Sequence, residues 1–263
     1  MDYKLINCDS LLKKITRKDN LFNGKYCIDP YQNCEFGCLY CDSSYDKTIF
    51  VKENADDILN NELKKVKKGL IIIGSVHDPY QNAEKTYEIT KKILKIIKKY
   101  NLPCHILTKS NLILRDLDIL NTIDCTVTIS ILSLNEKISS LFEKNVISTK
   151  HRFNLVDTLS KNKIKAGIAQ IPILPYITSK EIESIIKISK KYNAQYFLYK
   201  YLELKGEQKQ IFLDLIKKYF PEHLTKYKTI YNNSIKPELK YTKEIDIKIQ
   251  KYCKKYDIAN FIK

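Results

Sequence analysis

Three thiols fall close together at Cys34, Cys38 and Cys41, in the run Cys34-Glu-Phe-Gly-Cys38-Leu-Tyr-Cys41. A C-x₃-C-x₂-C spacing lets three thiolates converge on one cluster of soft metal, and a cuboidal 4Fe-4S cluster ordinarily takes four. One iron is then left open to a ligand that the protein does not supply. Gly37 allows the loop to turn tightly enough to aim the sulfurs inward, and Tyr40 is placed to lie against the cluster and keep water off it.

Zinc is the competing metal. Its sites usually pair two C-x₂-C ligands with a second Cys or His pair at a matching distance, and no such pair follows here. A structural disulfide fits less well. Eight cysteines in 263 residues, an opening Met1-Asp2-Tyr3-Lys4 that is no secretory leader, and no apolar run of membrane-spanning length predict a reducing cytoplasm and no membrane. The other five, Cys8, Cys27, Cys104, Cys125 and Cys253, stand singly and read as buried small apolar side chains.

At 44% hydrophobic content the chain buries a sizeable core, as one large α/β domain or two small ones, which excludes a disordered protein. The formal charge of +16 suits a polyanionic partner such as nucleic acid or a phosphorylated substrate. Lysine carries nearly all of it, since Arg17, Arg115 and Arg152 are the only arginines. Bidentate recognition of phosphate and bases favours arginine, so the charge permits nucleic-acid binding without arguing for it.

The elements that must position the cysteine loop follow in order. Residues 1–25 read as a polar, irregular extension with a short helix around Leu11 to Ile15. Tyr26-Cys27-Ile28-Asp29 reads as a strand stopped by Pro30, which delivers the chain into the loop. Ile58, Leu59, Leu63 and Val66 recur at helical spacing before Gly69, and the strand Leu70 to Gly74 follows. The alternation then repeats: a helix from Ile89 to Tyr100, a strand from Cys104 to Leu107, and a short helix from Leu112 to Leu120. Next come a strand from Cys125 to Ser130, a helix to about Ser160, a strand from Ile164 to Pro172, a helix from Ile182 to Tyr192 and a sixth strand from Gln195 to Tyr199.

Strict alternation predicts a parallel sheet with right-handed crossovers. Six units are too few to close an eight-stranded barrel and suit an open α/β partial (β/α)6 barrel of TIM type. The remainder carries Ile211, Leu215 and Tyr219, then Ile245, Ile249 and Tyr252, at helical spacing, and is expected to cap the open side. The organisation read from this is an N-terminal extension (1–25), a core (26–200) and a C-terminal helical appendage (201–263).

In a parallel barrel the site lies at the C-terminal ends of the strands. Those ends carry Ser75-Val76-His77-Asp78-Pro79-Tyr80, Thr108-Lys109-Ser110 and Ser130. The cysteine spacing, with an aromatic residue just before the third Cys, resembles the signature of the radical S-adenosylmethionine (SAM) superfamily. Asp78-Pro79-Tyr80-Gln81, Thr108-Lys109-Ser110, Arg115-Asp116-Leu117-Asp118, Ser130, Phe142-Glu143 and Arg152 together resemble its spore photoproduct lyase-like family, across roughly residues 26–200.

The resemblance implies a radical SAM barrel whose cluster sits on Cys34, Cys38 and Cys41 and whose open iron chelates the amine and carboxylate of SAM. It implies reductive cleavage of SAM to a 5′-deoxyadenosyl radical, a reductant such as ferredoxin or flavodoxin, and SAM contacts at His77, Lys109 and Ser130. A fixed ammonium and hydroxyls at strand ends suit SAM's carboxylate, amine and ribose. Glu143 and Arg152 are read either as an ion pair that braces the site or as partners of SAM, and Asp78 before Pro79 as a turn former or a catalytic group. Two positions depart from the family. The namesake lyases have a hydrogen-donating Cys where this chain has Ser75, and a relaying Tyr where it has Asp42. Spore photoproduct repair is therefore not expected, and a nucleic-acid-binding protein with a structural cluster and a zinc scaffold remain the alternatives.

Overall fold

A computed structural model describes residues 1–262 apart from Tyr45 and Asn233. In chain order its strands are β1 (Asp2–Ile6), β2 (Lys13–Lys14), β3 (Tyr26–Ile28), β4 (Tyr31–Gln32), β5 (Thr48–Lys52), β6 (Ile71–Ile73), β7 (Cys104–Thr108), β8 (Cys125–Ser130), β9 (Lys165–Ile173) and β10 (Phe197–Tyr201). The helices are α1 (Ala55–Leu63), α2 (Ala83–Tyr87), α3 (Ile89–Lys99), α4 (Leu117–Leu120), α5 (Glu136–Phe142), α6 (Thr149–Lys161), α7 (Ile182–Lys191), α8 (Gly206–Tyr219), α9 (Leu224–Ile230) and α10 (Leu239–Lys255).

β3, β6, β7, β8, β9 and β10 lie side by side in that order, each parallel to its neighbour. β2 adds a seventh, antiparallel strand at the edge beside β3. The six are the open parallel α/β wall expected from the alternation. Its outer face is covered by amphipathic helices whose apolar residues recur every three or four positions: Ile89, Ile93, Leu94 and Ile97 on α3, and Ile182, Ile185 and Ile186 on α7. Each side chain of this kind taken fully out of water contributes about 1.5–3 kcal/mol.

The inner face is crossed by a polar chain. His105 Nε2 meets Thr128 Oγ1 at 2.7 Å, and Thr128 meets the Tyr196 hydroxyl at 2.7 Å. Tyr196 crosses here because residue 167 is glycine; a Cβ at that position would stand 2.3 Å from its ring. Phe22 stacks on His105 with centroids 4.0 Å apart, so the N-terminal segment fills the barrel interior.

Three local expectations are corrected. Residues 1–25 are not irregular: β1 pairs parallel with β5, which also takes β4, in a second sheet of order β1-β5-β4. The helix expected around Leu11 to Ile15 does not form. The Glu62 carboxylate takes the N–H groups of Leu11 and Leu12, the latter at 2.8 Å, and Lys13–Lys14 pair with Tyr26 and Cys27 instead. On α8 the buried apolar residues are Phe212, Leu213 and Ile216, whereas Ile211 and Tyr219 are 42% and 43% exposed. The stripe has the expected period and lies one residue round the helix. On α10 Ile245 and Ile249 are buried as the spacing predicts. Among the described residues no helix is long and apolar enough to cross a membrane.

Candidate active site

The cysteine loop leaves β4 and is fixed at each corner by backbone groups. Gly37 adopts φ +63°, a left-handed turn open to glycine at little cost. The Cys34 N–H donates to the Ser43 carbonyl at 2.9 Å, Cys41 to Cys38 at 3.0 Å and Leu39 to Phe142 at 2.9 Å. Gln81, the last residue of the Asp78-Pro79-Tyr80-Gln81 stretch, and Asn145, which has no signal in the sequence beyond its polarity, complete the frame. Gln81 Oε1 accepts the Glu35 N–H at 2.9 Å and its Nε2 donates to the Asn33 carbonyl, while Asn145 Nδ2 donates to the Glu35 carbonyl at 2.7 Å.

The strand ends close over this loop. Gly74, at φ +82°, turns the chain out of β6 where a Cβ would strike Pro79 at 2.3 Å. Asp78 then faces β7: its carboxylate accepts the Thr108 hydroxyl at 2.7 Å, the Tyr80 N–H at 2.9 Å and the Lys109 N–H at 2.8 Å. With three donors on it, Asp78 is a clasp between strand ends. Burial nevertheless raises its pKa above the ordinary aspartate value.

Cys34, Cys38, Cys41 and Lys109 line one cavity of about 260 Å³ at this end of the barrel. Burial pushes the Cys34 thiol up to about 11 and the Cys38 thiol up to about 12. Burial also works against the charge of Lys109, but Cys38, Glu143, Asp78 and Cys34 outweigh it and hold the ammonium above the ordinary lysine value. The Lys109 ammonium makes no hydrogen bond among the described residues and stands toward the thiols.

Tyr40 lines the same cavity, and its hydroxyl donates to Glu143 Oε1. Glu143 Oε2 lies 2.7 Å from Arg152 Nη2, an ion pair without hydrogen-bond alignment. Arg152 is 1% exposed and donates to the Ser130 carbonyl at 2.9 Å and to Ser139 Oγ at 3.0 Å. The Glu143–Arg152 pair therefore ties the cysteine loop to the end of β8. His77 and Ser130 lie elsewhere. His77 lines a neighbouring groove, with its N–H on Asp29 Oδ1 at 3.1 Å, and Ser130 is buried with its hydroxyl on the Ile171 carbonyl. Strand-end position located both in the sequence, but not the direction in which each side chain points. Ser75 and Asp42 do line the cavity. The Ser75 hydroxyl donates to Asp29 at 3.2 Å, and the Cys27 thiol lies against it.

The appendage reaches the site as well. Gln208 of α8 donates Nε2 to the Tyr40 carbonyl, and Lys200, Tyr201, Glu203 and Lys205 line the cavity's outer side. Among the described residues no three Cys, His, Asp or Glu side chains close on the single point one metal ion would occupy. Cys34, Cys38 and Cys41 all line one cavity, and a donor set of three soft sulfurs suits an iron–sulfur cluster.

An open parallel barrel with helices on its outer face and three cysteines at its C-terminal end defines an α/β fold of the radical SAM partial-barrel type. The chain belongs to the radical SAM superfamily, whose family model matches residues 28–188. It is 30% identical to an uncharacterised protein of Methanocaldococcus jannaschii over 256 residues, 92% of this chain and 95% of that one. An uncharacterised protein of Mycobacterium tuberculosis is 21% identical over 273 residues, 96% of this chain and 80% of that one.

Among solved structures, a spore photoproduct lyase mutant superposes with a TM-score of 0.77 at 16% identity, over 98% of this chain and 81% of that one. A spore photoproduct lyase mutant with bound AdoMet and dinucleoside spore photoproduct gives 0.72 at 15% identity, over 93% and 78%. Streptococcus suis SuiB bound to S-adenosylmethionine gives 0.64 at 13% identity, over 90% and 49%. At these identities the likeness shows the fold.

Proposed function

We propose that this protein is a radical SAM enzyme in which Cys34, Cys38 and Cys41 hold a 4Fe-4S cluster and Lys109 binds the carboxylate of SAM. One observation carries the reading: the three thiols and an ammonium with no hydrogen-bond partner among the described residues line a single cavity. When bound, the cluster supplies one electron that breaks the C5′–S bond of SAM, giving methionine and a 5′-deoxyadenosyl radical for hydrogen abstraction, and an external reductant of the ferredoxin or flavodoxin kind restores the electron. The chain's own residues bind and shield. Tyr40 walls the cavity, Asp78 fixes the Lys109 backbone, and Glu143 with Arg152 braces the loop. His77 and Ser130 are read as serving the scaffold, through Asp29 and Ile171.

The substrate is read as something other than spore photoproduct. Ser75 and Asp42 line the cavity where the namesake lyases hold a hydrogen-donating Cys and a relaying Tyr, and a Ser O–H bond is too strong to give its hydrogen to a carbon radical. A groove of about 750 Å³ shares Lys200, Tyr201 and Glu203 with the cavity and adds Lys18, Asp19 and Lys236, with Glu203 paired to Lys200 and Lys236; its size suits an extended substrate, and nucleic acid is kept as the second reading.

Anaerobic reconstitution with iron and sulfide, followed by a 5′-deoxyadenosine assay with SAM and dithionite, tests the proposal. About four irons per chain and reductant-dependent 5′-deoxyadenosine support it. A full cluster without SAM cleavage, together with salt-dependent DNA binding, supports the structural-cluster reading instead. Multiple turnovers of thymine from spore-photoproduct DNA overturn the substrate exclusion and point to Cys27, against Ser75, as the hydrogen source.

A further inference from the structure

The cysteine loop has a neck. β4 enters it and β5 leaves it, and the two strands pair antiparallel at Tyr31 with Val51 and at Gln32 with Phe50. Asn33, at φ +67°, turns the chain out of β4, and its Nδ2 donates to the Thr48 carbonyl at 2.8 Å across the neck. β1 lies along the other edge of β5, in parallel register from Asp2 with Thr48 to Ile6 with Lys52. Four of its five residues are exposed, so it contributes little through apolar burial.

One side chain of β1 nevertheless reaches the loop. The Tyr3 hydroxyl donates to Glu35 Oε1 at 2.5 Å, and the Ala83 N–H at the start of α2 donates to Oε2 at 2.8 Å. Glu35 follows Cys34 directly and is 3% exposed. Its N–H goes to Gln81 and its carbonyl takes Asn145 Nδ2. Every polar group of this one residue is therefore met, and from four places: β1, α2, the turn before α2 and the segment after α5. A carboxylate is costly to bury, and an apolar side chain would fill the position at lower cost. What the carboxylate adds is direction, since hydrogen bonds weaken steeply when misaligned and apolar contact does not.

We propose that Tyr3 and Glu35 are positioning residues, and that the N-terminal strand, through the Tyr3 hydroxyl, sets the cysteine loop in the shape that receives the cluster. This rests on the reading of Cys34, Cys38 and Cys41 as cluster ligands. Neither Tyr3 nor Glu35 lines the cavity. Both act through the backbone next to Cys34.

The test reads the thiols of the metal-free, full-length protein. Pulse alkylation followed by mass spectrometry gives a rate for each cysteine in wild type, Tyr3→Phe, Glu35→Gln and the double variant. Tyr3→Phe keeps the ring, which meets Tyr87 edge-on at 5.7 Å, and the strand pairing. It is expected to speed alkylation of Cys34, Cys38 and Cys41 by roughly three- to tenfold, the net worth of one hydrogen bond expressed as a local opening equilibrium. Cys104, Cys125 and Cys253, buried in the core, are internal controls and should keep their wild-type rates. Glu35→Gln turns an amide N–H₂ on one of the two donors, so it should act on the same three thiols. In the double variant the two effects should fall short of their product, because they break a shared hydrogen bond. Should Glu35→Gln not fold, Tyr3→Phe decides alone. On reconstituted protein, a chelator should strip iron faster from Tyr3→Phe than from wild type. Unchanged loop thiol rates in Tyr3→Phe, an unchanged stripping rate, or a rise shared equally by Cys104, Cys125 and Cys253 overturns the proposal, the last because it marks general loosening. Wild-type protein that takes up no iron would overturn the ligand assignment itself, and the thiol rates, measured without metal, separate that failure from the other.

Discussion

The N–H of Lys109 meets Asp78 Oδ2 at 2.8 Å across the ends of β6 and β7. Through that bond, two strands that are parallel neighbours at Ile73 and Ile106 stay joined beyond their last ladder pair. The Lys109 backbone is fixed by its neighbour's carboxylate, and the ammonium is left for the cavity.

Lys109→Ala is expected to weaken SAM binding while the cluster still assembles. The lost contact is a charge-assisted hydrogen bond, worth about 1.5–3 kcal/mol, which corresponds to roughly a ten- to hundredfold rise in the dissociation constant. SAM titration into reconstituted protein measures it. An unchanged affinity would return Lys109 to the ordinary surface lysines.

Replacing Cys34, Cys38 or Cys41 with Ala should abolish iron binding, since each removes one of three thiols on one cavity. Cys104 and Cys125 offer the contrast. They sit opposite each other in register on β7 and β8, buried at the far end of those strands from the loop. Cys104→Ser and Cys125→Ser should keep full iron content and lower the melting temperature by the few degrees that a buried hydroxyl in place of a thiol costs. Iron analysis on the five single variants decides; retained cluster in all three Ala variants would sink the assignment.

The strands of the barrel were legible because each is an apolar run between amphipathic helices. The second sheet was not: β1 is exposed along most of its length and β4 is two residues long, so neither shows a core-facing pattern. Lys13–Lys14 could not be read as a strand because the groups that hold it there, Glu62 and Tyr26, are distant in sequence. At the site, spacing alone located the cysteines, since a covalent interval constrains where sulfurs can go. Gln81, Asn145 and Gln208 carry no such interval. They matter only through carbonyls and N–H groups brought to them by the fold.

Gln208→Ala should make the cluster more vulnerable to oxygen. Gln208 is 7% exposed and is the group from α8 that satisfies the Tyr40 carbonyl. Without it a buried carbonyl loses its donor, at a cost of about 1–3 kcal/mol, and the loop corner beside Cys41 opens more readily to solvent. The iron count after anaerobic reconstitution should match wild type, while visible absorbance should bleach several-fold faster in air. Equal bleaching would mean that the appendage does not shield the loop.

His105 makes the fold acid-sensitive in a way that needs no cofactor. Burial alone holds its pKa down at about 3, and its ring sits between Phe22 and Thr128 with no carboxylate among the described residues hydrogen-bonded to it to stabilise a second proton. The unfolded chain binds a proton at His105 below about pH 6.5, while the folded chain resists it until much lower pH. The contribution of a neutral His105 is therefore fully present above pH 6.5 and is lost as pH falls toward the folded value. By pH 4 the loss amounts to roughly 2–4 kcal/mol. His105→Gln keeps a polar partner for Thr128 and has no proton to take up. It should be less stable than wild type at pH 7.5, and the gap should narrow steadily as pH falls from 6.5 to 4. Melting temperatures of the metal-free protein across that range provide the check, and a gap that stays constant would mean that His105 is not neutral in the folded barrel.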